Sequence, residues 1–99
     1  MRQSFIISDI EASSLILVRD IAKRSNQTEL YLLSDAVFML NDKNLNKIFG
    51  QIQDLGIMIF AIKEDVEKRK PVYKDIIQEI SYEDFVERLV SNDVKIINL

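Results

Sequence analysis

Ninety-nine residues, 47% of them hydrophobic and 29% charged, describe a single folded domain, 1–99, with a modest core and not a disordered chain. A formal charge of −3 argues against broad binding to a phosphate backbone. The chain has no cysteine and no histidine, which removes disulfides, Cys/His zinc sites and any Ser-His-Asp or Cys-His nucleophile.

With only two glycines and one proline, little of the chain is left for loops. Phe5-Ile6-Ile7 reads as a first strand. Ser8 and Glu11 fit a capping box at the start of a helix over Ile10 to Arg24, with Leu15, Val18 and Ala22 on its inner face and Ile21 beside them. Ser25-Asn26-Gln27 ends it. Leu30 to Leu33 is a second buried strand, followed by Ser34-Asp35 and then by Ala36 to Leu40, a short helical turn. Leu45, Ile48, Phe49, Ile52 and Leu55 recur at helical spacing, so Asn44 to Asp54 is an amphipathic helix. Gly56 stands at its end, where a left-handed residue is commonly needed.

Ile57 to Ile62 is wholly apolar and rich in β-branched side chains, as suits a strand covered on both faces. It switches at once to Lys63-Glu64-Asp65-Val66-Glu67-Lys68-Arg69, a short helix ending before Pro71. Ile76 to Ile80 is a fourth strand. Ser81 with Asp84 repeats a capping pattern, and Tyr82, Phe85, Val86 and Leu89 form the inner face of a last helix. Val94 to Ile97 closes the series. Strands alternating with helices predict an α/β fold, three-layered α/β/α, on a mostly parallel five-stranded sheet; the pattern leaves strand order open.

The longest apolar run, Leu55 to Ile62, falls far short of the roughly 20 residues a membrane span requires. Phe5-Ile6-Ile7 before Ser8-Asp9 is too short for a signal peptide, so a cytoplasmic protein with no membrane contact is expected. Neither Gly50 nor Gly56 has the spacing of a phosphate-cradling loop, and no cofactor is called for. Carboxylates are what remain for acid–base work. Asp9, Asp35 and the pair Glu64-Asp65 each follow a predicted strand, where the sites of α/β sheets gather. One reading makes them a polar rim around a shared crevice. The other makes Asp9, Glu64 and Asp65 helix-start residues favoured by the helix dipole. Asp35, set between an apolar strand and an apolar turn, has less structural purpose.

Lys68-Arg69-Lys70, with Lys63 and Lys74 nearby, is a basic cluster. Within an acidic chain, and interleaved with Glu64, Asp65 and Glu67, it reads as a solvated face with i,i+4 pairs such as Glu64 and Lys68. Tyr31, Tyr73 and Tyr82 do not alternate with basic residues as a base-stacking platform does, so no direct nucleic-acid contact is expected. Ala36 to Leu40 poses a separate question, since five consecutive apolar residues cannot all point inward from one short turn. Either some reach the surface at a subunit interface, or they form a second layer of core under the neighbouring helix.

Three segments in order resemble the DsrE/DsrF/DsrH family, its DsrH (TusB) branch most of all. They are Leu32-Leu33-Ser34-Asp35-Ala36-Val37, Ile59-Phe60-Ala61-Ile62-Lys63-Glu64-Asp65 and Ile80-Ser81-Tyr82-Glu83-Asp84-Phe85-Val86. The resemblance covers about Thr28 to Leu89. Departures are Ala36 where the family has glycine, Ser34 where it has glutamine or glutamate, and Lys70-Pro71 in place of an arginine–glycine turn. Ile97 or Asn98 replaces a frequent tryptophan.

The resemblance implies a DsrE-like fold and a subunit of a sulfur-relay assembly, serving tRNA 2-thiouridine formation or sulfur oxidation. In that system a cysteine on the DsrE/TusD-type subunit carries a persulfide. Some DsrH-type members have their own cysteine near the first helix, but Ile10 to Arg24 contains none. The expectation is therefore a non-catalytic subunit, not an enzyme, in a hetero-oligomer with DsrE- and DsrF-like partners. Its binding or interface residues would be Ser34, Asp35, Ala36, Val37, Phe38, Glu64 and Asp65. A small-molecule or nucleotide binding module acting as a homo-oligomer is the alternative, and a free-standing carboxylate enzyme a third.

Overall fold

The computed structural model describes residues 2–22, 27–72, 75–91 and 93–99. Five strands, β1 (Arg2–Ile7), β2 (Thr28–Leu32), β3 (Met58–Ile62), β4 (Gln78–Ile80) and β5 (Val94–Asn98), form one sheet in the order β4-β3-β2-β1-β5. Every pairing is parallel, with Phe5 opposite Leu30, Leu30 opposite Ile59, Ile62 opposite Ile80, and Phe5 opposite Ile97. The connecting helices are α1 (Ala12–Ala22), α2 (Lys43–Asp54), α3 (Lys63–Arg69) and α4 (Tyr82–Leu89), with a 3-10 helix over Ser34–Asn41. The fold is thus the expected α/β domain with a parallel sheet. The predicted helix end at Arg24 and its Ser25-Asn26 stop lie outside the described residues, as do Tyr73 and Lys74.

Topology explains which helix lies on which face. From β1 to β4 the chain steps one strand at a time in one direction, and successive right-handed crossovers place their helices on the same side. There Leu15, Val18 and Ala22 of α1, Leu45, Phe49 and Ile52 of α2 and Val66 of α3 pack on Phe5, Ile7, Leu30, Leu32, Ile59 and Ala61. The final step, β4 to β5, runs back across the sheet and carries α4 to the opposite side. Here Phe85 packs on Ile6, Tyr31, Phe60, Ile62 and Ile80, with Leu89 half-buried beside it. Past Met58, which is half-exposed at the start of β3, both faces of β2 and β3 are buried, which is why Ile59 to Ile62 is unbroken apolar sequence.

The helix ends follow local chemistry. Asp42 caps α2, its Oδ1 accepting from the backbone N–H of Asn44 at 2.8 Å and of Leu45 at 3.3 Å. Gly56, with φ +84°, takes the left-handed turn after α2. Ser81 Oγ accepts from Asp84 N at 3.1 Å, as its spacing predicts. The Ser8/Glu11 capping box does not form. Helix α1 begins at Ala12, Ile10 is exposed, and the Glu11 N–H faces Met39 Sδ at 3.4 Å. Insertion of the 3-10 helix beside this turn fixes Glu11 ahead of the helix. β4 is shorter than predicted, because Ile76 and Ile77 turn their side chains into the first core instead of pairing.

Lys70 caps α3 with φ 48°, a left-handed backbone that favours glycine, and its N–H donates to Val66 O at 2.7 Å. Lys70→Gly should therefore raise stability by about 0.5–1 kcal/mol in urea unfolding. A loss of stability would mean that the lysine side chain outweighs the backbone strain.

Candidate functional site

The loop after β2 holds the expected site. Leu33 extends β2, its N–H donating to Ile7 O at 2.9 Å, and the chain then turns through Ser34 at φ 52°. A serine costs about 1–2 kcal/mol in that conformation, so other contacts must hold it. Asp65, in the first turn of α3 just past β3, supplies one: its Oδ2 accepts from Ser34 N at 2.8 Å. Arg69, one turn along α3, supplies the rest. Its Nε donates to Asp35 Oδ1 at 3.0 Å, Nη1 to Asp65 Oδ1 at 3.1 Å and Nη2 to Ser34 Oγ at 3.3 Å. Two of the three segments that resemble family motifs are thereby locked together at the carboxyl end of the sheet.

A repeat of three residues per turn sorts the side chains of the 3-10 helix. Ala36, Val37, Met39 and Leu40 turn inward on two adjoining sides, between α2 and α3, while Asp35, Phe38 and Asn41 share the outer stripe. Phe38 alone of the five apolar residues reaches the surface, 37% exposed, with the Arg69 guanidinium 6.0 Å from its ring. Of the two readings of this run, the second layer of core accounts for four residues. Ala36 and Val37 are wholly buried, so they shape the loop from beneath and make no outward contact.

The structure thus brings Ser34, Asp35 and Asp65 together around Arg69, which sequence reasoning placed in a solvated face and not in the site. Glu64 goes elsewhere: its Oε2 accepts from Tyr82 N at 3.1 Å and helps cap α4. Asp9 stands exposed beyond β1 and, among the described residues, shares no hydrogen bond or ion pair with this cluster. All three guanidinium nitrogens of Arg69 make a bond, to two carboxylates and a hydroxyl, an arrangement that fixes a loop. Asp65→Ala should cost about 1–2 kcal/mol, since it frees both the Ser34 N–H and an Arg69 contact. Asp35→Ala, at the more exposed pair, should cost under about 1 kcal/mol. Equal losses in urea unfolding would contradict this division.

A second polar cluster, unforeseen from the sequence, lies on the α4 side of the sheet. Glu29 is buried in β2, its Oε2 accepting from Arg88 Nη1 at 3.0 Å and its Oε1 from the Tyr31 hydroxyl at 2.9 Å. Arg2 Nε stands 3.5 Å from Glu29 Oε1, and Arg2 Nη2 donates to Ser91 Oγ at 2.9 Å. Arg88 also covers the Phe60 ring at 4.6 Å, and Tyr31 stacks on Phe60 with centroids 5.1 Å apart. Burial first, and then the Glu29 carboxylate, pushes the Tyr31 hydroxyl up to about 12. Period-two alternation puts Glu29 and Tyr31 on one face, but nothing local in the sequence pairs them with Arg2 or Arg88.

Among the described residues, no helix is long and apolar enough to cross a membrane. The family model described as DsrH like protein matches residues 8–95. Among solved structures, a conserved protein of unknown function from Bacteroides thetaiotaomicron is similar, with a TM-score of 0.76 and 14% identity over 98% of this chain and 94% of that one. At such identity the likeness carries the fold alone. No curated protein matches the chain.

Proposed function

The chain belongs to the DsrH-like family, a family tied to sulfur-relay complexes, and on that premise we propose that it is a non-catalytic structural and interaction subunit of one. The complex would be of the type that serves tRNA 2-thiouridine synthesis or sulfur oxidation, working in the cytoplasm with DsrE- and DsrF-like partners. One observation carries the non-catalytic part: these 99 residues contain no cysteine. A persulfide is a sulfur bonded to a thiol sulfur, and no other side chain substitutes for it. The sulfur then resides on a partner, and this chain contributes surface and shape.

The Asp35 loop supports this reading better than it supports a ligand site. Ser34, Asp35 and Asp65 direct polar atoms at Arg69, and Phe38 is held outward by the same lock. A rigid loop displaying one aromatic ring is suited to contact with another protein. Co-expression with DsrE- and DsrF-like proteins of the same organism should yield one stable complex on sizing with mass measurement. Separate elution at micromolar concentrations, in low and high salt alike, would overturn the proposal.

A further inference from the structure

Two apolar stripes run along α4. The inner one, Phe85 and Leu89, completes the core on Tyr31 and Phe60. The outer one, Tyr82, Val86 and Val90, recurs every fourth residue and is 57%, 39% and 72% exposed. An ordinary surface helix needs one apolar stripe. Within the chain only Tyr82 of this stripe has a ring partner, Phe85 at 6.1 Å, while Val86 and Val90 are left exposed, and contiguous exposed apolar surface marks contacts.

Its outer border carries one sign. Glu83 and Glu87 are exposed beside it. The helix's cation, Arg88, is drawn to the sheet by Glu29 at 3.0 Å and by the Phe60 ring. An open hollow of about 700 Å³ on the other side of α4 holds Glu79 and Asp84 but also Arg2 and Arg88, so its charge is mixed and it is no part of this border. Packing α4 against its own copy would set the Glu83 and Glu87 carboxylates against one another, and like charges at a contact disfavour it. The platform is also preorganised. Ser81 and Glu64 fix its start, and Phe85 meets the Tyr31 ring at 5.1 Å.

We infer that the outer face of α4 is the docking surface for a different protein, one presenting an apolar ridge bordered by lysine or arginine side chains. This deepens the proposed function and rests on it, since it assigns the surface through which the DsrE- or DsrF-like subunit is held. Attraction across such a rim weakens with salt.

The experiment measures assembly of the full chain with co-expressed DsrE- and DsrF-like proteins, comparing wild type, Val86→Asp, the pair Glu83→Lys and Glu87→Lys, and Lys47→Glu on the far face as control. Melting temperature and circular dichroism check that each variant folds. Val86→Asp should weaken the complex at least tenfold, and the double charge reversal should weaken it and reduce its salt sensitivity. Lys47→Glu should bind as wild type. If the wild-type complex forms and both α4 variants join it unchanged, the assignment of this face is wrong while the proposed function stands. If the isolated chain dimerises and Val86→Asp makes it monomeric, the occupant is a second copy and the inference fails. If wild type joins no complex, the proposed function fails and takes this inference with it.

Discussion

Glu29→Ala is expected to lower folding stability by about 2–4 kcal/mol. The substitution leaves Arg88 facing a sheet with no counter-charge, Arg2 without its nearby carboxylate, and the buried Tyr31 hydroxyl without an acceptor. Removing one partner from a buried charge network typically costs about 3–5 kcal/mol. The range is set lower here because Arg2 and Arg88 side chains are 32% and 37% exposed and recover some hydration. Against a total of about 5–15 kcal/mol for a domain, that is a large fraction. Urea unfolding with an unchanged slope measures it. A loss below about 1 kcal/mol would mean that the arginines are solvated well enough without Glu29.

The second large effect lies at high pH. An unfolded chain releases a tyrosine proton near 10.0, whereas the folded state keeps that of Tyr31 to about 12. Between these values the unfolded state binds fewer protons, so stability falls as pH rises; below pH 10 this group gives no slope. The full loss is about 2–3 kcal/mol by pH 12. Tyr31→Phe has no such proton and should lack this part of the alkaline decline. Stability measured from pH 8 to pH 12 for both proteins gives the difference directly, and parallel curves would contradict the burial of the hydroxyl.

Patterns confined to a few neighbouring residues carried most of the fold. Ile59 to Ile62 announces a doubly covered strand because both of its faces must be apolar, and Leu45, Phe49 and Ile52 announce a helix because 3.6 residues make a turn. Gly56 and Ser81 mark helix ends by their own backbone and hydroxyl chemistry. Where a distant element decides, the local pattern misleads. Ser8 and Glu11 have capping-box spacing, yet Met39 occupies the neighbourhood and the helix starts at Ala12. Tyr82 and Val86 look like core beside Phe85 and Leu89, but α4 has the sheet on one side only, so they face outward.

The candidate site divides in the same way. Ser34, Asp35 and Asp65 stand out because each follows a strand of a parallel sheet. Arg69 does not, since its role depends on a turn of α3 meeting the Ser34 loop 35 residues earlier. The Glu29 cluster is still more remote from local pattern, joining β2 to α4 across 59 positions.

Whether this chain ever carries sulfur can be read from the intact mass of each subunit after the assembled complex has been fed a sulfur donor. Added sulfur is expected on a cysteine-bearing partner, with the mass of this chain unchanged. Sulfur bound covalently to this polypeptide, or donor turnover by the purified chain alone, would contradict its non-catalytic role.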